Sequence, residues 1–551
     1  MQQEQEYLLW PQKILYKSRL RNSRKETKMK EKKYVVGVDC GTTSSKTVIF
    51  DLEGHTIGQG QKLNPLTYPS PGRVECDGPA MIETLYETTR IAIESSGIDP
   101  EEIASVSCCM FRCTAITRDK DGGFTTPIII WQDLRGVEMV PEMEEQLKAA
   151  GLSADEFYDI CGMPLAGTYP LAKLLWVKKY YPEAYENCTR IHTMMGLMTK
   201  AYGADDYYDD YNDTPWLQLN GEDFHYNKKL VDAFGLDMEK LAPLAKTGEV
   251  IGAVTPDVAY KTGLAVGTPL IMGTGDQQSA CLGVGCTKEG IGYACGGTAG
   301  ITAGKSMKML RDPDRKCYVL GTPDGAYVME GQSNAAASAF KWFKDVIAHS
   351  EDAAAKHTRM NVYDIMTHAA SYSKPGSNGV FYLPYMQGAN TPNYDLNARG
   401  TYIGMTLATS REDMIRATME GIVFDLKDML DAMVTANVPE FNTVRITGGI
   451  AVSEVWNQIQ ADIYGWNVET VEVSEATALG CAMVASVGAG IYKDYDEAAE
   501  KMVRVTKRYV PNPKNAEMYK DAYAVWKSIF RDLHQNANQN IADFQDKYRD
   551  M

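Results

Sequence analysis

"VVGVDCGTTSSKTVIF" runs from Val35 to Phe50. An apolar strand ends on an acid, passes through a glycine and four hydroxyls, and turns apolar again. A tight connection between two strands needs fewer turn residues than this. Asp39, Gly41, Thr42, Thr43, Ser44, Ser45 and Lys46 instead supply a carboxylate, a flexible backbone, hydroxyl donors and a cation. That inventory suits a polyphosphate carried with its metal ion, with Asp39 on the metal and the residues after Gly41 on phosphate oxygens. The competing reading is a hydroxyl-rich hairpin whose acid caps local amides.

Outward from this stretch the pattern continues as a meander. Strands are expected over Lys46 to Asp51 and Thr56 to Gln61, and a helix over Pro79 to Ser95, where apolar residues recur every 3.6 positions. "IASVSCCMFRCTAITRDKDG" and "PIIIWQDLRG" each give a strand with a charged exit, and "YPLAKLLWVKKYYPEAY" is the clearest helix of the middle third. "LIMGTGDQQSACLGVG" reads as a buried strand, a glycine-rich turn and an apolar helix. "GIGYACGGTAGITAGKS" then repeats the opening device: Gly297-Thr298 lines up with Gly41-Thr42, and Cys295 stands where Asp39 stood. Such a repeat points to two domains of one design around a shared cleft. "VRITGGIAVSEVWNQIQADIYG" adds a strand, a Gly-Gly turn and a helix starting near Ser453, whose N-terminus attracts anions. "SEATALGCAMVASVGAG" is a small-residue helix able to pack closely, and the chain beyond Asp532 is polar and expected to fray.

At 551 residues the chain exceeds a single core. A net charge of −16 argues against nucleic acid or an anionic membrane as partner, though not against a phosphorylated ligand. No apolar run is long enough to span a bilayer. Twelve cysteines without a Cys-x-x-Cys pair, beside seven histidines, predict neither structural zinc nor a disulfide framework. Reduced thiols in a cytoplasm fit best. The first 28 residues carry a net charge of +4 against −20 for the rest. They read as a disordered or artefactual arm before a start at Met29, with a transit peptide or basic arm as the alternative.

Two further stretches invite chemistry. "AGITAGKS" (Ala299 to Ser306) nearly spells a P-loop, but a working one needs its lysine to open a helix. The proline at Pro313 closes any helix within two turns, so the segment reads as a hairpin strand, and Lys305→Ala is expected to leave nucleotide binding intact. In "GTGDQQ", Asp276 sits past a buried strand between glycines and amides. A carboxylate there can take a proton from a substrate hydroxyl attacking phosphorus. It can equally cap a helix, and both can hold together.

Taken in order, Asp39-Gly-Thr-Thr, Lys173-Leu-Leu-Trp, Gly-Thr-Gly-Asp276-Gln-Gln, Gly-Gly-Thr298 and Thr-Gly-Gly449 resemble the FGGY family of carbohydrate kinases. "GTYIGMTLATSREDMIRATMEG" (Gly400 to Gly421) looks like that family's C-terminal signature. The resemblance covers roughly residues 34 to 510. It implies an α/β protein of two ribonuclease-H-like domains, of the actin and hexokinase ATPase type, around a central cleft. The expected division is 1–33 as the basic tail, 34–285 as the sugar and phosphate domain with the catalytic aspartate, 286–510 as the nucleotide domain and 511–551 as a helical extension ending in a frayed tail. ATP and Mg²⁺ are the implied cofactors and a small sugar the implied partner, with a homodimer as the family's frequent state. By matching position, Thr42, Thr43, Ser44 and Lys46 meet the nucleotide phosphates, and Thr298, Gly449 and Ser453 lie around the rest of ATP. Asp276 matches the catalytic base, and the turn's own chemistry leaves Asp39 to hold Mg²⁺ directly or through water. Arg112, Tyr169 and Gln277 match positions where glycerol kinases hold substrate.

The substrate side departs from those relatives. Cys113 replaces the acid of glycerol kinases and the histidine of xylulokinases, and a thiol reproduces neither one's hydrogen bonds. Ala389-Asn390 stand where xylulokinases usually carry Glu-Arg. The segment "NTPNYDLNARG" is similar to xylulokinases, while the last third looks much like autoinducer-2 kinases. The expectation is a kinase of a ketopentose such as xylulose. The alternatives are an autoinducer-2 or other polyol kinase and, from another class, a non-catalytic ATP-binding scaffold.

Overall fold

The computed structural model describes residues 30–212, 219–220, 225–473 and 475–548. The basic arm and the start read at Met29 lie outside the described residues.

Strands β1 (Tyr34–Cys40), β2 (Ser44–Asp51), β3 (Thr56–Leu63), β4 (Ile103–Met110), β5 (Val250–Ala253) and β6 (Pro269–Gly275) form one sheet in the order β5-β6-β4-β1-β2-β3. β7 (Ile291–Gly296), β8 (Gly300–Ser306), β9 (Tyr318–Gly321), β10 (Tyr327–Ser333), β11 (Thr443–Gly448), β12 (Asn467–Val471) and β13 (Val505–Tyr509) form a second, in the order β9-β10-β8-β7-β11-β12-β13. The two are the same design. In each, a central strand pairs antiparallel with the next strand in the chain and parallel with a later one, β1 with β2 and β4, β7 with β8 and β11. In each, the parallel run continues by one strand and ends on an antiparallel edge.

The helices include α1 (Gly78–Ser96), α2 (Pro170–Tyr180), α3 (Asp276–Gly283), α4 (Ala337–Val346), α5 (Arg411–Thr435), α6 (Glu454–Tyr464), α7 (Ala476–Gly488), α8 (Pro513–Asn536) and α9 (Asn538–Lys547). Both faces of the first sheet are covered. Val36, Val38 and Ile49 pack with Met81 and Leu85 of α1, whereas Val35, Val48 and Phe50 pack with Ala478, Leu479 and Ala482 of α7. Burial on both faces is why β1 reads as a continuous apolar run rather than an alternating one. Gly37 is there for contact: a Cβ on it would lie 2.2 Å from the Ala478 carbonyl oxygen. α7 also crosses α3 backbone to backbone, because Cβ atoms on Gly283 and Gly480 would fall within 2 Å of the facing carbonyls of Ala476 and Ser279, at 1.8 and 1.7 Å. A helix contributed by the last third of the chain thus packs on the first sheet.

The Gly400–Gly421 segment builds the first half of α5. Ser410 and Asp413 form its capping box, and the buried Arg416–Glu420 pair (2.7 Å) meets Tyr519 of α8. That anchor corrects the expected fraying: α8 continues to Asn536 with Trp526 fully buried, and Asn538 of α9 donates to Asp395 at 2.6 Å. A second correction concerns "PIIIWQDLRG", which pairs as a strand only at Ile128–Ile129. Asp133 beyond it turns back to the Val74 amide and to Arg135, both at 2.7 Å, and this ends the ladder. Gly300–Ser306 is a strand, and Lys305 on it is buried against Asp324 and the Thr287 carbonyl. No helix among the described residues is long and apolar enough to cross a membrane.

Candidate active site

Three parallel neighbours, β1, β4 and β6, end at one edge of the first sheet. Their register sets Asp39 beside Cys109 and Gly275 beside Met110, so Asp39, Arg112 and Asp276 emerge together. The carboxyl ends of parallel strands are where α/β sheets form ligand crevices. A cavity of about 210 Å³ lies there. Thr42, Arg112, Cys113, Trp131, Asp276 and Gln277 line it from the first half of the chain, and Ala299, Ile301 and Gln332 from the second.

Among the described residues Arg112 and Asp276 are the two charged side chains lining this cavity. The Arg112 Nε lies 3.6 Å from Asp276 Oδ1, and its Nη2 bonds the fully buried carboxylate of Glu330. Asp276 is the first residue of α3, after Gly275 at the cap, and accepts from the Gln277 amide at 2.8 Å. Burial pushes its carboxyl up to about 6; Arg112 opposes the shift and Glu330 adds to it. Asp39 is pushed up to about 7 by burial and then by the charges of Asp276 and Glu475, with the Cys109 thiol, 3.7 Å from its Oδ1, and Lys46 opposing. Mutually repelling carboxylates at a sheet edge are relieved by a divalent cation, which is the chemistry of a metal-phosphate site. Among the described residues no group of three or more metal-ligating side chains occurs, so a metal would take its remaining ligands from phosphate and water, as Mg²⁺ commonly does.

The turn from Gly41 to Thr43 is fixed by Asn64, whose side-chain amide donates to the Thr42 carbonyl at 3.0 Å and whose Oδ1 accepts from Ser45 at 2.8 Å. Thr42 Oγ1 accepts from the Trp131 indole at 2.8 Å, Thr43 is exposed, and Ser44 accepts from Gln61 at 2.8 Å. Lys46 is engaged by Glu475, 2.6 Å away, at the start of α7. Cys113 holds a left-handed backbone at φ 62°, rare for a residue with a Cβ. Its carbonyl accepts from Lys173 at 2.8 Å, and Lys173 is fully buried, its ammonium pushed down to about 7 by that burial. Tyr169 is not among the residues lining the cavity; it is buried edge-to-face on Tyr318, ring centres 6.5 Å apart. Of Cys108, Cys109 and Cys113, only Cys113 reaches the cavity, and burial raises the other two thiols well above their ordinary range.

Thr298, Gly449 and Ser453 meet at a second cavity, of about 390 Å³, walled by Phe340, Tyr363 and Trp456. Ser453 caps α6, and the Thr298 carbonyl accepts from Ser338 at 2.6 Å and from the Ala336 amide at 3.0 Å. Hydroxyls and a helix N-terminus beside aromatic walls suit a heterocycle bearing phosphate. Sequence reasoning did not assign Glu330, Gln332, Asn64, Trp131 or Glu475. The available signal for Glu330 was the one charged residue inside the strand "YVMEGQS", after an apolar Tyr-Val-Met start.

The chain is similar to known proteins over most of its length. Residues 34–283 match the N-terminal domain of the FGGY family of carbohydrate kinases, and residues 292–489 its C-terminal domain. The autoinducer-2 kinase of Enterobacter sp. (strain 638) is 30% identical over 518 residues, spanning 91% of this chain and 94% of that protein. The xylulose kinase of Bacillus subtilis (strain 168) is 27% identical, spanning 90% and 97%. The crystal structure of gluconate kinase from Lactobacillus acidophilus shares the fold with a TM-score of 0.83 at 23% identity, covering 92% of this chain and 99% of that one.

Proposed function

The chain belongs to the FGGY family of carbohydrate kinases and is an ATP-dependent sugar kinase, and we propose that its acceptor is a neutral ketopentose such as xylulose, with Asp276 as general base. The observation that carries this reading is the pairing of Asp276 with Arg112 at 3.6 Å in a cavity whose other polar lining is uncharged. Arg112 is already met by the buried Glu330 carboxylate, which favours a hydroxyl-bearing acceptor over an acidic one.

In this reading residues 34–285 carry the acceptor, the phosphate turn and the base, and residues 286–510 the nucleoside. Asp276 accepts the proton of the attacking hydroxyl, and Gln277 and Arg112 orient the acceptor. Thr42, Thr43 and Ser44 donate to phosphate oxygens, Lys46 offsets their charge while steadied by Glu475, and Thr298, Gly449 and Ser453 hold the rest of the nucleotide. Mg²⁺, when bound, would be held by Asp39 directly or through water and would neutralise phosphate charge. The cleft excludes water, which would otherwise compete as acceptor.

A second reading, phosphorylation of the autoinducer-2 precursor, is favoured by the 30% identity to a protein of that name. The test for both is ADP release from Mg-ATP across ketopentoses, tetritols, glycerol, gluconate and the autoinducer-2 precursor, beside Asp276→Ala. A ketopentose preferred and lost in the variant supports the first reading. Preference for the precursor moves the assignment to the second, and preference for gluconate overturns the neutral acceptor.

A further inference from the structure

Glu330 lies on β10, a strand of the second sheet, and its side chain is 1% exposed. Burial so complete is costly for a carboxylate unless a cation meets it. The cation is Arg112, which follows β4 in the first half of the chain and is separated from Glu330 by 218 positions. The same guanidinium approaches Asp276, but only to 3.6 Å, whereas with Glu330 it makes a direct hydrogen bond. One arginine therefore stands between two carboxylates contributed by different halves of the protein. Gln332, two residues further along β10 and so on the same face, lines the acceptor cavity itself.

We propose that Glu330 is a positioning residue for phosphoryl transfer: by holding Arg112 on the second sheet it keeps that guanidinium at the acceptor and off Asp276, whose carboxylate stays free to take the proton. The inference rests on the reading of Asp276 as base. It links the two halves to the chemistry, because the pair forms only where the second sheet is set against the first.

The titratable and charged groups facing Asp276 are Arg112 and Cys109 from β4 and its exit, Asp39 and Cys40 from β1 and Glu330 from β10. From α7, packed on α3, Glu475 is turned to Lys46. Among these groups the arginine alone draws the proton off Asp276, and Glu330 opposes it. With Glu330 removed, Arg112 is left with Asp276 as its carboxylate, and a close charged pair makes that carboxylate a weaker base.

The test compares Glu330→Gln and Glu330→Asp with the unmodified full-length protein, using the best acceptor of the panel from about pH 5 to pH 9, where a raised carboxyl titrates. For Glu330→Gln the expected result is a fall in kcat/KM for the acceptor of about 100-fold, and an acid limb moved down by about one pH unit. KM for ATP should stay within about twofold, and Glu330→Asp should recover part of both losses. An acid limb that stays in place while activity falls in step with thermal stability would make Glu330 merely structural and overturn the proposal. Infrared difference titration of each protein against its Asp276→Asn counterpart reads the same carboxyl without turnover. There, an unmoved Asp276 titration in Glu330→Gln also overturns it. Persistence of full turnover in Asp276→Asn alone would instead defeat the reading of the base.

Discussion

Asp39, next to last in β1, and Cys295, next to last in β7, occupy equivalent places in two sheets of one design. Each is followed by a glycine, a threonine and an antiparallel return strand. The first turn carries a carboxylate among other carboxylates, with Asp276 and Glu475 both raising the proton affinity of Asp39. The second has a thiol in its place and opens onto a cavity of hydroxyls and aromatic rings. A metal-bound polyphosphate calls for acid on one side only, since a second acid would repel phosphate oxygens directly. Identical backbone frames therefore take different work, and the difference lies in one or two side chains at each strand end.

The comparison breaks most severely at the acid side. Asp276→Asn should lower kcat by about 1,000-fold or more, as expected for a lost general base, while calorimetry finds ATP bound with nearly unchanged affinity. Undiminished kcat would move the chemistry elsewhere. In the unmodified protein the same carboxyl sets the pH response. A base raised to about 6 works above that value, so kcat/KM should fall as the pH drops through it. Asp39→Asn should cost about 100-fold in kcat and make the Mg²⁺ requirement steeper, read by titrating the metal at fixed ATP. An unaltered metal dependence would remove Asp39 from the metal site. Cys295→Asp sharpens the comparison from the other side. It adds the acid of the first turn to the second, and an uncompensated charge there should cost about 3 kcal/mol by denaturant unfolding and weaken ATP. A tolerated aspartate would mean that the two turns are interchangeable. Lys305→Ala should act least on function. The buried contact with Asp324 predicts a stability loss of about 1–3 kcal/mol, with ATP affinity unchanged.

The turn residues themselves were legible because turn chemistry and strand periodicity are local. Gly41-Thr42 and Gly297-Thr298 announced two copies of one hairpin, and the proline after "AGITAGKS" was enough to read a strand where a P-loop seemed spelled. Even the small-residue helix α7 could be seen as a close-packing element. What escaped were partners. Tyr169 was expected at the acceptor, and only the fold shows that it lies in one cluster with Tyr318 and the cavity's Cys113, its ring edge-to-face on Tyr318. The polar stretch beyond Asp532 was expected to fray, yet His534 and Asn538 both find the buried Asp395 carboxylate on a distant segment.

The sequence by itself determined the strand-turn-strand frame, its duplication, and the positions of Asp39 and Asp276, since each follows from residues within a few places of one another. Tertiary structure alone decided which charges meet. Arg112 with Glu330, Lys46 with Glu475 and Lys173 with the Cys113 carbonyl are all contacts between segments far apart in the chain. They depend on how the sheets and helices are set against one another, and no local pattern encodes a distance between two segments until the fold has brought them side by side.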